Sequence, residues 1–97
     1  MIGDPEQFGK PISEQLSEYL KQYTTSNDRA NVCQQTSIGT STIRDLVYRN
    51  NNLSKSNYIA VVELMRIAVR NCTQKINDSK QAKRYFESEL SEIEVEA

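Results

Sequence analysis

The stretch RANVCQQTSIGTSTIRDLVYR, residues 29–49, decides the fold. It holds two short patterns of helical spacing on either side of a corner of small residues. Val32 and Cys33 lie on the inner face of the first pattern, and Ile38 closes the corner from inside. Ile43, Leu46 and Val47 anchor the second at i, i+3 and i+4. The opposite face of that second helix carries Thr40, Ser41, Arg44, Asp45 and Tyr48. Hydroxyls, a guanidinium and a phenol on one exposed face read as a helix-turn-helix whose second helix enters a DNA groove end-on.

Within this stretch TSIGTSTIRDL resembles the helix-turn-helix of phage-repressor-like DNA-binding proteins, of the lambda-repressor and Xre type. There a corner of the Gly-Val-Ser kind is followed by Ser-Thr-Ile. Ser37, Ile38 and Gly39 occupy the corner, Ser41, Thr42 and Ile43 match the following run, and Leu46 falls where the family keeps an apolar residue. Two positions depart from the pattern. Cys33 stands where the family usually has Ala, and Ser37 where it usually has Gly. A left-handed backbone at Ser37 costs a non-glycine residue about 1–2 kcal/mol. In that family the loop after the recognition helix lies beside the DNA backbone, so the resemblance implies phosphate contacts from Asn51, Asn52, Lys55, Ser56 and Asn57.

At 97 residues the chain is long enough for one domain and one core. With no Trp and only two Phe, that core is expected to be aliphatic with tyrosine edges. No apolar run approaches the roughly 18 residues of a membrane span, and MIGDPEQFGK lacks the basic-then-apolar order of a secretory leader. Cys33 and Cys72 lack CxxC spacing or histidine neighbours, so neither a zinc site nor a disulfide framework is expected, and the setting reads as cytoplasmic. No cofactor is implied.

The net charge of −1 hides a segregation along the chain. Residues 29–84 carry +7, residues 1–28 carry −3 and residues 85–97 carry −5. A basic middle containing the helix-turn-helix is the footprint expected for phosphate binding.

The predicted class is all-α: a small helix-turn-helix bundle of four to five helices with an extended C-terminal helix. Residues 1–10 are expected as a flexible lead, 11–76 as the DNA-binding domain, and 77–97 as a C-terminal helix with an acidic tail and a possible dimerisation role. Pro11 is placed in the first turn of a helix carrying Ile12, Leu16, Tyr19, Leu20 and Tyr23, and Ser26 or Asn27 caps the next. NNNLSKSN, residues 50–57, forms a loop. From Tyr58 a seam of alternating four and three spacings runs through Val62, Met65, Val69, Cys72, Ile76, Ser79, Lys83, Phe86, Leu90 and Ile93. Ser79 and Lys83 are poor core residues, and Asn77–Ser79 can end one helix and cap another, so two helices are expected rather than one rod. The expected core includes Leu16, Leu20, Cys33, Ile38, Ile43, Leu46, Leu64 and Ile67.

Without any histidine, and without GxSxG or a Gly-rich phosphate loop, no catalytic constellation stands out, and no enzyme activity is expected. The function read from the residues is a sequence-specific DNA-binding regulator of bacterial or phage-like type, using residues 39–49 as recognition helix. Arg44 is the leading base reader, since a guanidinium suits the O6 and N7 acceptors of guanine, with Thr40 and Ser41 beside it. Tyr48 and Arg49 are assigned to phosphate, and Asp45 to a pair with Arg49 at i+4 or to a cytosine amino group. A homodimer through Phe86, Leu90 and Ile93 would read two half-sites about 34 Å apart. The alternative is a helical protein-interaction module, an antitoxin or adaptor, whose C-terminal helix holds a protein partner while DNA binding is secondary.

Overall fold

The computed structural model describes residues 4–96, with side-chain surroundings for residues 4–94. Residues 1–3 and 97, part of the expected lead and acidic tail, lie outside the described residues. Four α-helices follow a short 3-10 turn at Pro5–Gln7: α1 Glu14–Tyr23, α2 Ser26–Thr36, α3 Thr40–Val47 and α4 Tyr58–Glu96. There is no strand among the described residues. The chain is an all-helical bundle with a long C-terminal helix.

Local chemistry sets each boundary. The Ser13 hydroxyl accepts from the Leu16 N–H at 3.1 Å and caps α1, so Pro11 and the buried Ile12 precede the helix instead of opening it. At its other end the Thr24 hydroxyl turns back onto the Leu20 carbonyl. Thr25, rather than Ser26 or Asn27, caps α2. Its hydroxyl accepts from the Asp28 N–H at 3.1 Å, and the Asp28 carboxylate accepts from the Thr25 N–H at 2.9 Å, a reciprocal capping box. Ser37 ends α2 in the left-handed region, φ 63°. Gly39 then starts α3.

The core is built from Leu20 of α1, Val32 of α2, Ile43, Leu46 and Val47 of α3, and Ala60, Val61, Leu64 and Ile67 of α4. Leu16, Cys33 and Ile38, expected inside, are only partly buried at its margin. Leu53 is a core residue from the polar loop, where no periodicity marked it. It is drawn in by a reciprocal backbone pair: Gly9 N–H donates to the Leu53 carbonyl and Leu53 N–H to the Lys10 carbonyl, both at 2.8 Å. Phe8 packs on Tyr58 with ring centroids 5.8 Å apart. Residues 4–10, read as a loose lead, are thus tied to the body of the domain by backbone bonds and an aromatic contact.

The expected break at Asn77–Ser79 does not occur. Asp78 accepts from the Gln74 side-chain amide at 2.9 Å across one helical turn instead of capping a new helix. A single 39-residue helix results, about 58 Å long, in a molecule measuring 64 × 25 × 18 Å. Only its first four turns reach the core. Asn71 makes the last hydrogen-bond tether, donating to the Tyr23 carbonyl at 2.8 Å and to Asp28 at 3.2 Å. Every residue from Thr73 to Glu94 is exposed.

Candidate nucleic-acid interface

Three buried side chains aim α3. Ile43, Leu46 and Val47 face the core, so residues between them on the helical wheel face away from it. The first turn and the middle of α3 therefore expose Thr40, Ser41 and Arg44. The orientation is held from behind, because the Ser17 hydroxyl donates to the carbonyl of Val47, the last residue of α3, at 2.6 Å.

Thr40, Ser41 and Arg44 line a shallow groove of about 200 Å³ whose other wall is Ser26 and Arg29, in the first turns of α2. Two helix N-termini and two guanidiniums thus converge on one small concavity. An anion there would meet the positive end of both helix dipoles and the two arginines. Sequence reading passed over Ser26 and Arg29, because their closeness to α3 depends on the crossing of two helices. The Arg44 side chain is 60% exposed, and its contact with the Asp45 carboxylate, at 3.8 Å, is near the limit of an ion pair. It is free to reach outward.

The expected Asp45–Arg49 pair is absent. Arg49 lies past the end of α3 in the left-handed region, φ 63°. Its N–H donates to the Leu46 carbonyl and that of Asn50 to the Asp45 carbonyl, at 3.3 and 2.8 Å, the double bond pattern that closes many helices on a glycine. This geometry swings the side chain toward the start of α1. There its Nε donates to the Ile12 carbonyl at 2.7 Å and its Nη1 lies 3.5 Å from the Glu14 carboxylate. Arg49, assigned to phosphate, is held instead as a strut between two segments of the domain. Tyr48 also turns to α1, with the Lys21 ammonium 5.3 Å from its ring centroid. Both border a groove that also contains Glu14 and Glu18, a poor place for a phosphate.

The loop after α3 is ordered by its own asparagines. Asn57 accepts from the Ser54 N–H at 2.8 Å and donates to the Asn52 carbonyl at 3.0 Å, while Asn51 accepts from the Asn52 N–H at 2.9 Å. Those two side chains are occupied in shaping the loop, which leaves Asn52, Lys55 and Ser56 as its outward members. The Ser56 hydroxyl lies 3.0 Å from that of Ser54.

Phe86, Leu90 and Ile93 stand on the projecting part of α4, 63%, 55% and 60% exposed, and touch nothing in the bundle. Nearer the core, α1 and α4 leave an apolar groove of about 490 Å³ between them. No helix among the described residues is long and apolar enough to cross a membrane. No family model matches the chain, and no curated protein or solved structure matches it either.

Proposed function

We propose that the protein binds double-stranded DNA with sequence preference, inserting the N-terminal half of α3 into the major groove, and that it regulates transcription in the cytoplasm by occupying an operator. The observation that carries this reading is the exposed Arg44, set with Thr40 and Ser41 on the outward face of the second helix of a helix-corner-helix unit. A guanidinium on such a face can donate two bonds to one guanine, and hydroxyls in the first turn suit base edges or phosphate. Arg29 and Ser26 at the start of α2, and Lys55 in the following loop, flank α3 as phosphate contacts. Asp45 stays beside Arg44 and limits which base it accepts. Tyr48 and Arg49 leave the contact set for the structural reasons given above.

Selection of bound sequences from a random DNA pool tests this directly. A recovered motif whose enrichment disappears with Arg44→Ala supports the reading, and a pool that stays random with the parent protein overturns it. A second reading, a helical interaction module, draws on the exposed Tyr85, Phe86 and Leu90. It requires a partner protein that is held equally well when Arg44 is replaced.

A further inference from the structure

Two apolar features of the molecule are complementary but out of each other's reach. The first is the groove between α1 and α4, walled by Leu16, Tyr19 and Tyr23 on one side and Val69, Cys72 and Ile76 on the other. Val69 in that wall is 66% exposed. The second is the row Phe86, Leu90 and Ile93. Both lie on one continuous helix, and the rise from Val69 to Ile93 is about 36 Å. The row therefore cannot fold into the groove of its own chain.

The two features fit each other across a two-fold axis. Along α4 the seam positions are Val69, Cys72, Ile76, Ser79, Lys83, Phe86, Leu90 and Ile93, four and three residues apart. Laid antiparallel on a second copy with the axis at Gln81, Val69 of one helix meets Ile93 of the other, Cys72 meets Leu90, and Ile76 meets Phe86. Ser79 and Lys83, the two residues unsuited to a core, meet only each other. They form a central polar layer where a lysine can extend past a serine to water. Shifting the axis by one heptad step would set Lys83 against apolar residues, so the polar layer fixes the register.

Charge selects the same direction. From Arg66 to Arg84 the helix carries six basic side chains against Asp78 alone, and from Tyr85 to Glu96 it carries five glutamates and no base. Antiparallel pairing sets each acidic end on the other helix's basic half, with Lys75 flanking the seam opposite Glu89. Lys75 already stands at the rim of the groove, 5.4 Å from the Tyr23 ring centroid. Parallel pairing would align glutamates with glutamates and Lys83 with Lys83, and leave both grooves empty.

We propose that the protein forms an antiparallel homodimer in which the projecting halves of α4 pair about Gln81, and Phe86, Leu90 and Ile93 of each copy fill the groove between α1 and α4 of the other. This does not depend on the reading of α3, and its test contains no DNA. In the full-length Cys33→Ala/Leu90→Cys variant, a short bis-maleimide should link Cys72 of one chain to the new thiol of the other, identified by mass spectrometry of the digest. Two Cys72 thiols would lie about 27 Å apart, beyond such a reagent, so links between like positions would overturn the arrangement. Lys75→Glu and Glu89→Lys should each weaken the dimer of the full chain about tenfold, since the two-fold axis repeats each change twice. The double exchange should restore it. Sedimentation of the natural chain as a monomer at tens of micromolar, or failure of the double exchange to restore pairing, would also overturn the proposal.

Discussion

The Ser17 hydroxyl donates to the Val47 carbonyl at 2.6 Å, joining the middle of α1 to the last turn of α3. Both residues are buried. The carbonyl belongs to the set at a helix C-terminus that lacks a partner within its own helix, so a side chain from α1 completes it. Ser17→Ala removes the donor and leaves the acceptor buried. A loss of about 1–3 kcal/mol in unfolding free energy is expected, read from urea denaturation. A change within error would mean that water reaches Val47.

Ser37 holds φ 63° at the corner between α2 and α3. Ser37→Gly relieves the left-handed strain, and the flexibility that glycine adds to the unfolded chain offsets part of the gain. The variant should be more stable by about 0.5–1 kcal/mol, measured in the same way.

Arg44→Ala is expected to weaken binding to a selected site by about 1–3 kcal/mol while leaving non-specific binding nearly unchanged. Lys55→Ala should weaken both by similar factors and reduce the salt dependence. Fluorescence anisotropy at several salt concentrations separates the two patterns. Equal behaviour of the two variants would undo the division of roles between α3 and the loop.

Arg49→Ala should act on stability and not on recognition. The side chain is bonded to the Ile12 carbonyl and faces Glu14. Its loss should cost about 1 kcal/mol, because the guanidinium is partly solvated. Affinity for the selected site, measured where the variant is fully folded, should match the parent.

Phe86→Ala combined with Leu90→Ala should leave the bundle folded, since neither side chain touches it. The variant should sediment as a monomer and lose DNA affinity, because each recognition helix no longer arrives with a tethered second. Circular dichroism should still show a helical bundle with a shortened helical tail.

The α2–corner–α3 unit was legible in the sequence because three signals agreed there: the spacing of Val32, Ile43, Leu46 and Val47, the small residues at the corner, and the polar face beginning at Thr40. The continuity of α4 was not legible. Asn77, Asp78 and Ser79 are residue types that cap helices, yet each costs only several tenths of a kcal/mol inside one, and the helix formers from Lys80 to Arg84 carry it onward. Leu53 escaped notice as one apolar residue in a polar loop, where burial depends on a backbone pair with residues 9 and 10. Arg29 escaped for a different reason: a lone charge acquires meaning only from the angle at which α2 and α3 cross. The tie of Arg49 to Ile12 and Glu14 was not legible, because the exit geometry of α3, not its position on the wheel, directs its side chain.

The projecting half of α4 also bears on how the chain responds to its own abundance. A helix of some 20 residues with few tertiary contacts is marginal in water, and Thr73–Glu94 is exposed throughout, held to the bundle near its start by Lys75 over the Tyr23 ring. If pairing supplies the missing contacts, ordering of the tail follows the law of mass action. At low copy number the tails melt and the recognition helices act singly. Under the proposed reading, paired helices, and with them operator occupancy, rise as roughly the square of chain number below the dissociation constant and only linearly above it, where the tails are ordered, a threshold set by the length of helix that the bundle leaves uncovered.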